Sequence, residues 1–402
     1  MATYRYSPEL RAVLHFLSSH GSAAQPRTHI YEPLRLVRAR GRPRALTNLR
    51  AANGCNRLPK PATMAATEVP VATAQGNTVA LRRSTRTFVR GGRIKGDESV
   101  EIVVGVNHGA SSGDALALAV ALANSLDADI AVTNIFPVAY NYVSPAHVDA
   151  EWQGFLIEQA EEALTWARTQ LKDRDRVSYV MHPHRSSGVG LAQVATERHA
   201  QFIVIGAAPG GSDGRISGGS TSDQLLHGSP VPVAIAPRGY REWAPTALAR
   251  GNVAYQQTPE SDHCLDVTLR AIARAGGDPA QRLRLVTVLE RVTRIYGSRL
   301  GRHAEDQVLL ALRDQAQAAL SAAASRVREQ TGAATEIPTI ILEGDNVTNA
   351  LAKQDWDDAD ILIAGSTGAG PIRRVFLGDM AYKLIRATTI PIVVIPRGAD
   401  TE

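Results

Sequence analysis

Two pairs of glycines carry the residue types and spacing most able to do chemistry in this chain. Gly206 ends the run Phe202-Ile-Val-Ile, and Gly219-Ser220 begins thirteen positions later. Gly365 ends the run Ile361-Leu-Ile-Ala, and Gly378-Asp379 begins at the same distance. Both glycines of the second pair lie 159 residues after their counterparts, and the match continues from Pro232-Val-Ala-Ile-Ala-Pro-Arg-Gly into Pro391-Ile-Val-Val-Ile-Pro-Arg-Gly. A strand, a glycine loop and a helix start bring free backbone N–H groups to one point, where they can hold phosphate. The chain reads as two copies of one nucleotide-binding module.

Strands alternating with helices must position these loops. In the first copy the patterning predicts strands at Val100–Val106, Asp129–Phe136, Val177–Met181, Phe202–Ile205 and Pro232–Ala236. Helices are expected at Asp114–Ser125, 146–172, Gly190–His199 and Thr221–His227, the long one on the stripe Leu156, Ala160, Ala163, Leu164, Ala167, Leu171. The second copy repeats the order, with strands at Val253–Tyr255, Leu283–Leu289, Thr339–Leu342, Ile361–Ala364 and Ile392–Ile395. Its long helix carries Leu309, Leu312, Ala316, Ala319, Leu320, Ala323 and Val327. Such alternation implies an α/β fold of two tandem doubly wound, five-stranded parallel sheets with right-handed crossovers. Ligands then bind beyond the carboxyl ends of the strands, at the loops following the first and fourth strands.

Charge divides the chain unevenly. Residues 1–97 hold 17 Lys and Arg against four Asp and Glu, a net +13, so the remainder carries −8 within an overall +5. We read 1–97 as a basic, low-complexity, disordered extension, or as a start placed too early with Met64 the true one. The sharper reading of its charge is a nucleic-acid or anionic-lipid tail, for which arginine without interleaved aromatics or a fold is weak evidence. The modules are expected at 98–240 and 251–398, with 241–250 as linker. The two cysteines, Cys55 and Cys264, have no metal-ligand spacing, which points to a reducing cytoplasm. No apolar run approaches the roughly 20 residues of a membrane span, and no membrane partner is expected.

The recurring strand, glycine loop, helix and "P-hydrophobic-P-R-G" strand resemble the universal stress proteins in their tandem form. That resemblance covers nearly all of 98–398. It implies a strand order of 3-2-1-4-5 and a nucleotide motif Gly-x2-Gly-x9-Gly-(Ser/Thr), with an Asp ending the first strand. It also implies pairing through the last strand of each module, so that the two modules form a pseudo-dimer within one chain, with a homodimer as a further option. The first copy keeps Gly206, Gly219 and Ser220, but has Pro209 at the middle glycine and Asn107 for the Asp. The second keeps Gly365, Gly368 and Gly378, but has Asp379 for the Ser and Gln256 for the Asp.

Module one is therefore expected to bind ATP, AMP or ADP, an Mg ion optionally accompanying the nucleotide, through Gly206, Gly210, Gly219, Ser220 and Thr221, with Asn107 and Ile135 lining the base. Gly206 and Gly365 would let the chain turn sharply off the strand. Pro209 fixes φ and removes one N–H, so Gly210 or Gly211 takes up the turn. Module two, through Gln256, Val288, Gly365, Gly368, Gly378 and Asp379, is expected to bind weakly or not at all, or to prefer a nucleotide with fewer phosphates, because a carboxylate opposes a phosphate. As a helix cap Asp379 would simply be a favoured residue.

Other candidates are weaker. Ser217-Gly-Gly-Ser-Thr-Ser222 resembles the loop of ATP pyrophosphatases but follows the fourth strand instead of the first. His182 and His184 read as a surface pair, and His108 shapes only the mouth of the site. No Walker A motif and no GxGxxG after a strand is present. We find no catalytic base, so the chain reads as a nucleotide-binding regulator acting on a protein partner, not as an enzyme, although weak ATP hydrolysis can accompany such a site. The alternative is an interaction scaffold with degenerate pockets.

Overall fold

A computed structural model of the chain describes residues 99–137, 148–172, 174–291, 302–366 and 379–396. The extension 1–97, Gly368 and Gly378 lie outside the described residues. In the first half, β1 (Glu101–Gly105), β2 (Asp129–Phe136), β3 (Val177–Pro183), β4 (Phe202–Gly206) and β5 (Val233–Ala236) alternate with four helices. These are α1 (Ala110–Leu126), α2 (Val148–Gln170), α3 (Ser187–Glu197) and α4 (Ser220–Gly228). A single 3-10 turn at Tyr240–Glu242 leads on to the second half.

That half contains β6 (Arg250–Ala254), α5 (Pro259–Arg274), the one-turn α6 (Pro279–Arg282) and β7 (Leu283–Glu290). It continues with α7 (Arg302–Thr331), β8 (Thr339–Gly344), α8 (Val347–Leu351), β9 (Asp360–Gly365), α9 (Asp379–Ala387) and β10 (Ile392–Ile395).

Each half has the expected order 3-2-1-4-5, and the two five-stranded sheets join through their last strands. The strands form one ten-stranded sheet in the order β3-β2-β1-β4-β5-β10-β9-β6-β7-β8. Every described pairing is parallel except the central one, where β5 and β10 run antiparallel. Its register is Val233 with Val394, Ala234 with Val393, and Ile235 with Ile392. Ala234 thus faces Val393, its own counterpart 159 residues on. Two copies of one edge strand meeting across a twofold must run antiparallel, as in an isologous dimer contact.

The core is two apolar layers, one on each face of this sheet. On one face Ile102, Val104, Ile130 and Val132 meet α1 and α2, and Val253 and Leu285 meet α5 and α7. On the other face Val103, Ile203 and Ile235 meet α3 and α4, and Val286, Leu362 and Val394 meet α8 and α9. Strands covered on both faces read as continuous apolar runs, which is why alternation was absent from the sequence. The stripes of the long helices pack as expected, with Ala160, Ala163, Leu164 and Ala167 buried on α2, and Ala316, Leu320, Ala323 and Val327 on α7.

The segment after β5 is tied to module one by a buried carboxylate. Asp114 on α1, 1% exposed, accepts hydrogen bonds from the N–H groups of Gly239 (3.0 Å) and Arg241 (3.1 Å). Tyr240 between them is fully buried and meets Trp243 edge-on at 4.5 Å. The stretch read as a linker therefore begins as a fastened turn and ends inside β6.

The glycines ending β4 and β9 are required by helix packing. Neither takes a positive φ, so a sharp turn off the strand is not what demands them. A Cβ on Gly206 would lie 2.1 Å from the carbonyl oxygen of Ser111, in the first turn of α1. The Ser111 hydroxyl secures that approach by donating to the carbonyl of Ala207 at 2.7 Å. On Gly365 a Cβ would lie 2.9 Å from the carbonyl of Glu260 and 3.4 Å from Cys264 Cβ on α5.

Two stability predictions follow from this packing. Gly206→Ala should cost about 1–3 kcal/mol, the range for overpacking a filled core, and more than Gly365→Ala, when both are compared by urea denaturation. Full burial pushes the Cys264 thiol up to about 12, against about 8.5 in an unfolded chain. The neutral thiol thus stabilises the fold below the unfolded value, and this contribution is lost as pH rises toward the folded one. Between pH 8.5 and 10, wild type should lose more stability than Cys264→Ala in parallel denaturation curves.

Candidate functional site

The carboxyl ends of β1, β2 and β4 meet the starts of α1, α3 and α4 around one cleft of about 340 Å³. This lies within the range of about 300–1,000 Å³ typical of small-ligand sites. The cleft sits where the strand order reverses between β1 and β4, the position at which open α/β sheets bind ligands.

Five residues build its phosphate-sized corner. Gly219 caps α4 in an extended conformation (φ −147°, ψ 170°), and Ser222 fixes that cap from within the helix. The Ser222 hydroxyl accepts from the Gly219 N–H at 2.7 Å and donates to the Gly219 carbonyl at 2.8 Å. The N–H groups of Ser220, Thr221 and Ser222 occupy the first turn, where the helix offers them no acceptor. Here the helix dipole also favours negative charge. Opposite, Ala208 sits so close that a Cβ on Gly219 would lie 2.8 Å from its own Cβ.

The rest of the cleft is held by local polar contacts. Ser112, in the first turn of α1, accepts from the Asn107 N–H (2.8 Å) and donates to the Asn107 carbonyl (2.6 Å). The Asn107 carboxamide oxygen in turn accepts from the N–H of His108 at 2.9 Å. Buried Asn134 donates to the Val106 carbonyl at 2.9 Å, which fixes the β1 and β2 ends together. From the far side, Ser186 caps α3 and donates to Gln224 Oε1 at 2.6 Å, drawing the start of α3 onto α4.

Of the residues expected for module one, Asn107, Ile135, Gly206, Gly219, Ser220 and Thr221 all line this cleft. Gly210 does not. It completes the turn after Pro209 with φ +94°, a conformation that suits glycine. Its exposed position is consistent with the loop reshaping expected from Pro209. Sequence reasoning missed Ser111, Thr133 and Ser187, which also line the cleft. Only the pair Ser186-Ser187 before a helical stretch signalled its role, as an N-cap. No Asp, Glu, Lys or Arg is among the described residues that line the cleft. An anion here meets hydroxyls, backbone dipoles and His108, whose Nε2 lies 3.0 Å from the Gln159 carbonyl of α2. His182 pairs with Gln193, and His184 with Ser186. Among the described residues no group of three or more His, Cys, Asp and Glu is arranged to hold a metal.

Module two shares this framework and differs in charge. The Gln256 N–H donates to the Ser261 hydroxyl at 3.1 Å, as Asn107 does to Ser112. Val288 is buried near the end of β7, and Gly365 ends β9. Asp379 is the first residue of α9 and is exposed, 82% by its side chain. Lys383, one turn on, binds Asp379 at 3.0 Å and Glu290 at the end of β7 at 2.9 Å. The hydrogen bond it donates to Glu290, then that to Asp379, raises the Lys383 ammonium above its usual range. The remaining oxygen of Glu290 accepts from the N–H of Val347, at the start of α8. The corner that is neutral in module one is thus spanned by two carboxylates and one cation. Behind it, Tyr255 donates to Asp262 at 2.8 Å. Burial first, and then this carboxylate, pushes the Tyr255 hydroxyl up to about 12.

Comparison with known proteins agrees with this architecture. The family model described as "Universal stress protein family" matches residues 101–237 and again 253–396. A universal stress protein of Mycobacterium tuberculosis (strain H37Rv) is 35% identical over 301 residues, covering 73% of this chain and 99% of its own. One from Mycobacterium bovis matches to the same extent. Among solved structures, a universal stress protein from Archaeoglobus fulgidus shares 19% identity at a TM-score of 0.49, covering 75% of this chain and all of its own. A universal stress protein in complex with cAMP shares 18% identity at a TM-score of 0.27, over 36% of this chain and all of its own. With two matched domains across most of its length, the chain belongs to the universal stress protein family, as a tandem member.

Proposed function

We propose that module one binds an adenine nucleotide and that its occupancy regulates contacts with a protein partner. The observation supporting this reading most directly is the start of α4. There Gly219 is fixed by Ser222, and the N–H groups of the first turn open into a cleft free of carboxylates. Three features fit a phosphate chain: unpaired N–H donors, the hydroxyls of Ser220 and Thr221, and the positive end of a helix dipole. The apolar side formed by Val106, Ile135 and Leu191 suits a flat base. Asn107 offers amide groups for a hydrogen bond to the base or ribose.

Among the described residues the lining contains no lysine or arginine, so a triphosphate there meets hydroxyls, backbone dipoles and His108. The site therefore favours a nucleotide with fewer phosphates, or one that arrives with a divalent cation.

Module two is the weaker site in this reading. Asp379 replaces the hydroxyl of Ser220, and the trio Asp379, Lys383 and Glu290 carries a net −1. A phosphate brought there meets a negative corner whose cation is already engaged.

Nucleotide at about 100 times its Kd should stabilise the protein by ~2.7 kcal/mol, a shift that a thermal melt with ATP, ADP and AMP can rank. Ser220→Ala should weaken binding by about 1 kcal/mol, the scale of one hydrogen bond, while Asp379→Ser should raise the stoichiometry seen by isothermal titration. Two equal, tight sites in wild type would refute the assignment, and no melt shift with any adenine nucleotide would point instead to a scaffold.

A further inference from the structure

Helices α1 and α5, one from each module, approach each other over the middle of the sheet without closing over it. Between them lies a cavity of about 110 Å³. Its floor is Ile363 of β9 and Val393 and Ile395 of β10, and its walls include Leu122 of α1 and Val267 and Ala271 of α5. Protein interiors rarely leave voids larger than a water molecule, and carbons facing an empty space forfeit their dispersion contacts. A dry apolar void accepts an apolar guest of matching size, and one of about 150 Å³ takes up benzene.

The void is open on one side. Ser125, Leu248, Ala249, Ala275 and Arg282 line both it and an adjoining polar recess of about 600 Å³. That recess also carries Arg274, and neither Arg274 nor Arg282 makes an ion pair among the described residues. Its one carboxylate, Asp127, is held by Arg176 at 2.5 Å. The mouth is therefore net positive and the interior apolar.

We infer that this junction binds a medium-chain carboxylic acid, of which about the last four carbons fill the void, since it is smaller than a benzene-sized cavity, and the rest of the chain spans the mouth. The end of the alkyl chain fills the void, and the carboxylate meets Arg274 and Arg282. The site draws its walls from both modules, so it exists only because β5 and β10 join them in one sheet. It is separate from the nucleotide cleft and does not depend on that reading.

Octanoate and 1-octanol, titrated into the full chain by calorimetry and followed in parallel by melting temperature, test the assignment. Octanoate should bind and raise the melting temperature, and octanol should bind more weakly by about two- to fivefold, the worth of an exposed ion pair. Arg274→Gln, at an exposed position, should weaken octanoate by about two- to threefold, with Arg282 keeping part of the attraction, and leave octanol unchanged. Ala271→Leu, which fills the void, should abolish binding of both, and ATP should not compete with either.

Absence of heat and of any melting shift with millimolar octanoate overturns the inference, as does octanoate binding that ATP displaces or that survives Ala271→Leu unchanged. Should Ala271→Leu fail to fold, Arg274→Gln decides alone: octanoate affinity equal to wild type overturns it.

Discussion

The contact on which both halves depend is the landing of a helix's first turn on the end of a strand. In module one the Ser111 carbonyl reaches the backbone of Gly206 so closely that only a hydrogen fits between them. The Ser111 hydroxyl then secures the chain one residue further on. Module two repeats the landing with Glu260 on Gly365, at a looser distance. This contact fixes the height of α1 above the sheet, and with it the position of Asn107 and His108 at one rim of the cleft. The strand end is also where the loop toward α4 departs, so one approach sets two sides of the site.

Much of this was legible in the residues, and for identifiable reasons. Buried parallel strands leave continuous apolar runs, so all ten strands were placed to within a few residues, and Asp129–Phe136 and Ile392–Ile395 without change. Duplication exposed the glycine loops, because a spacing that occurs twice outweighs either occurrence alone. The joining of the two sheets was implied by the family resemblance and not by the residues of the strands themselves. Val233–Ala236 reads as a buried strand whichever neighbour it takes, and the antiparallel β5–β10 register is a property of two distant segments. The reason for Gly206 was hidden likewise, since its partner Ser111 lies 95 residues earlier. Ser111, Thr133 and Ser187 enter the cleft from three separate elements, and a single hydroxyl residue carries no signal of that. The bridge from Lys383 to Glu290 spans 93 residues and was equally silent.

The two halves also show how one backbone supports opposite electrostatics. Ser112 and Ser261 fasten the same turn in the same manner, so the frame is shared. What differs lies at the first residue of α4 and α9 and at the end of β2 and β7. In the first half a hydroxyl, Ser220, stands at the helix start, in a corner with no carboxylate among the described lining residues. In the second, a carboxylate, an ammonium and a second carboxylate satisfy one another. Changing so few side chains at a helix start alters which ions are welcome without disturbing the layers beneath.

The central antiparallel zipper has a consequence for how such halves diverge. When two identical chains associate, every substitution appears on both sides of the axis, and neither side can specialise alone. Joined by their own backbone, the halves meet at a high effective concentration set by the connection rather than by expression level. One half is thereby free to drift from its ancestral role while still sealing the edge of the other. The two corners show that drift already: at the start of α9 two carboxylates and an ammonium stand where module one has Ser220.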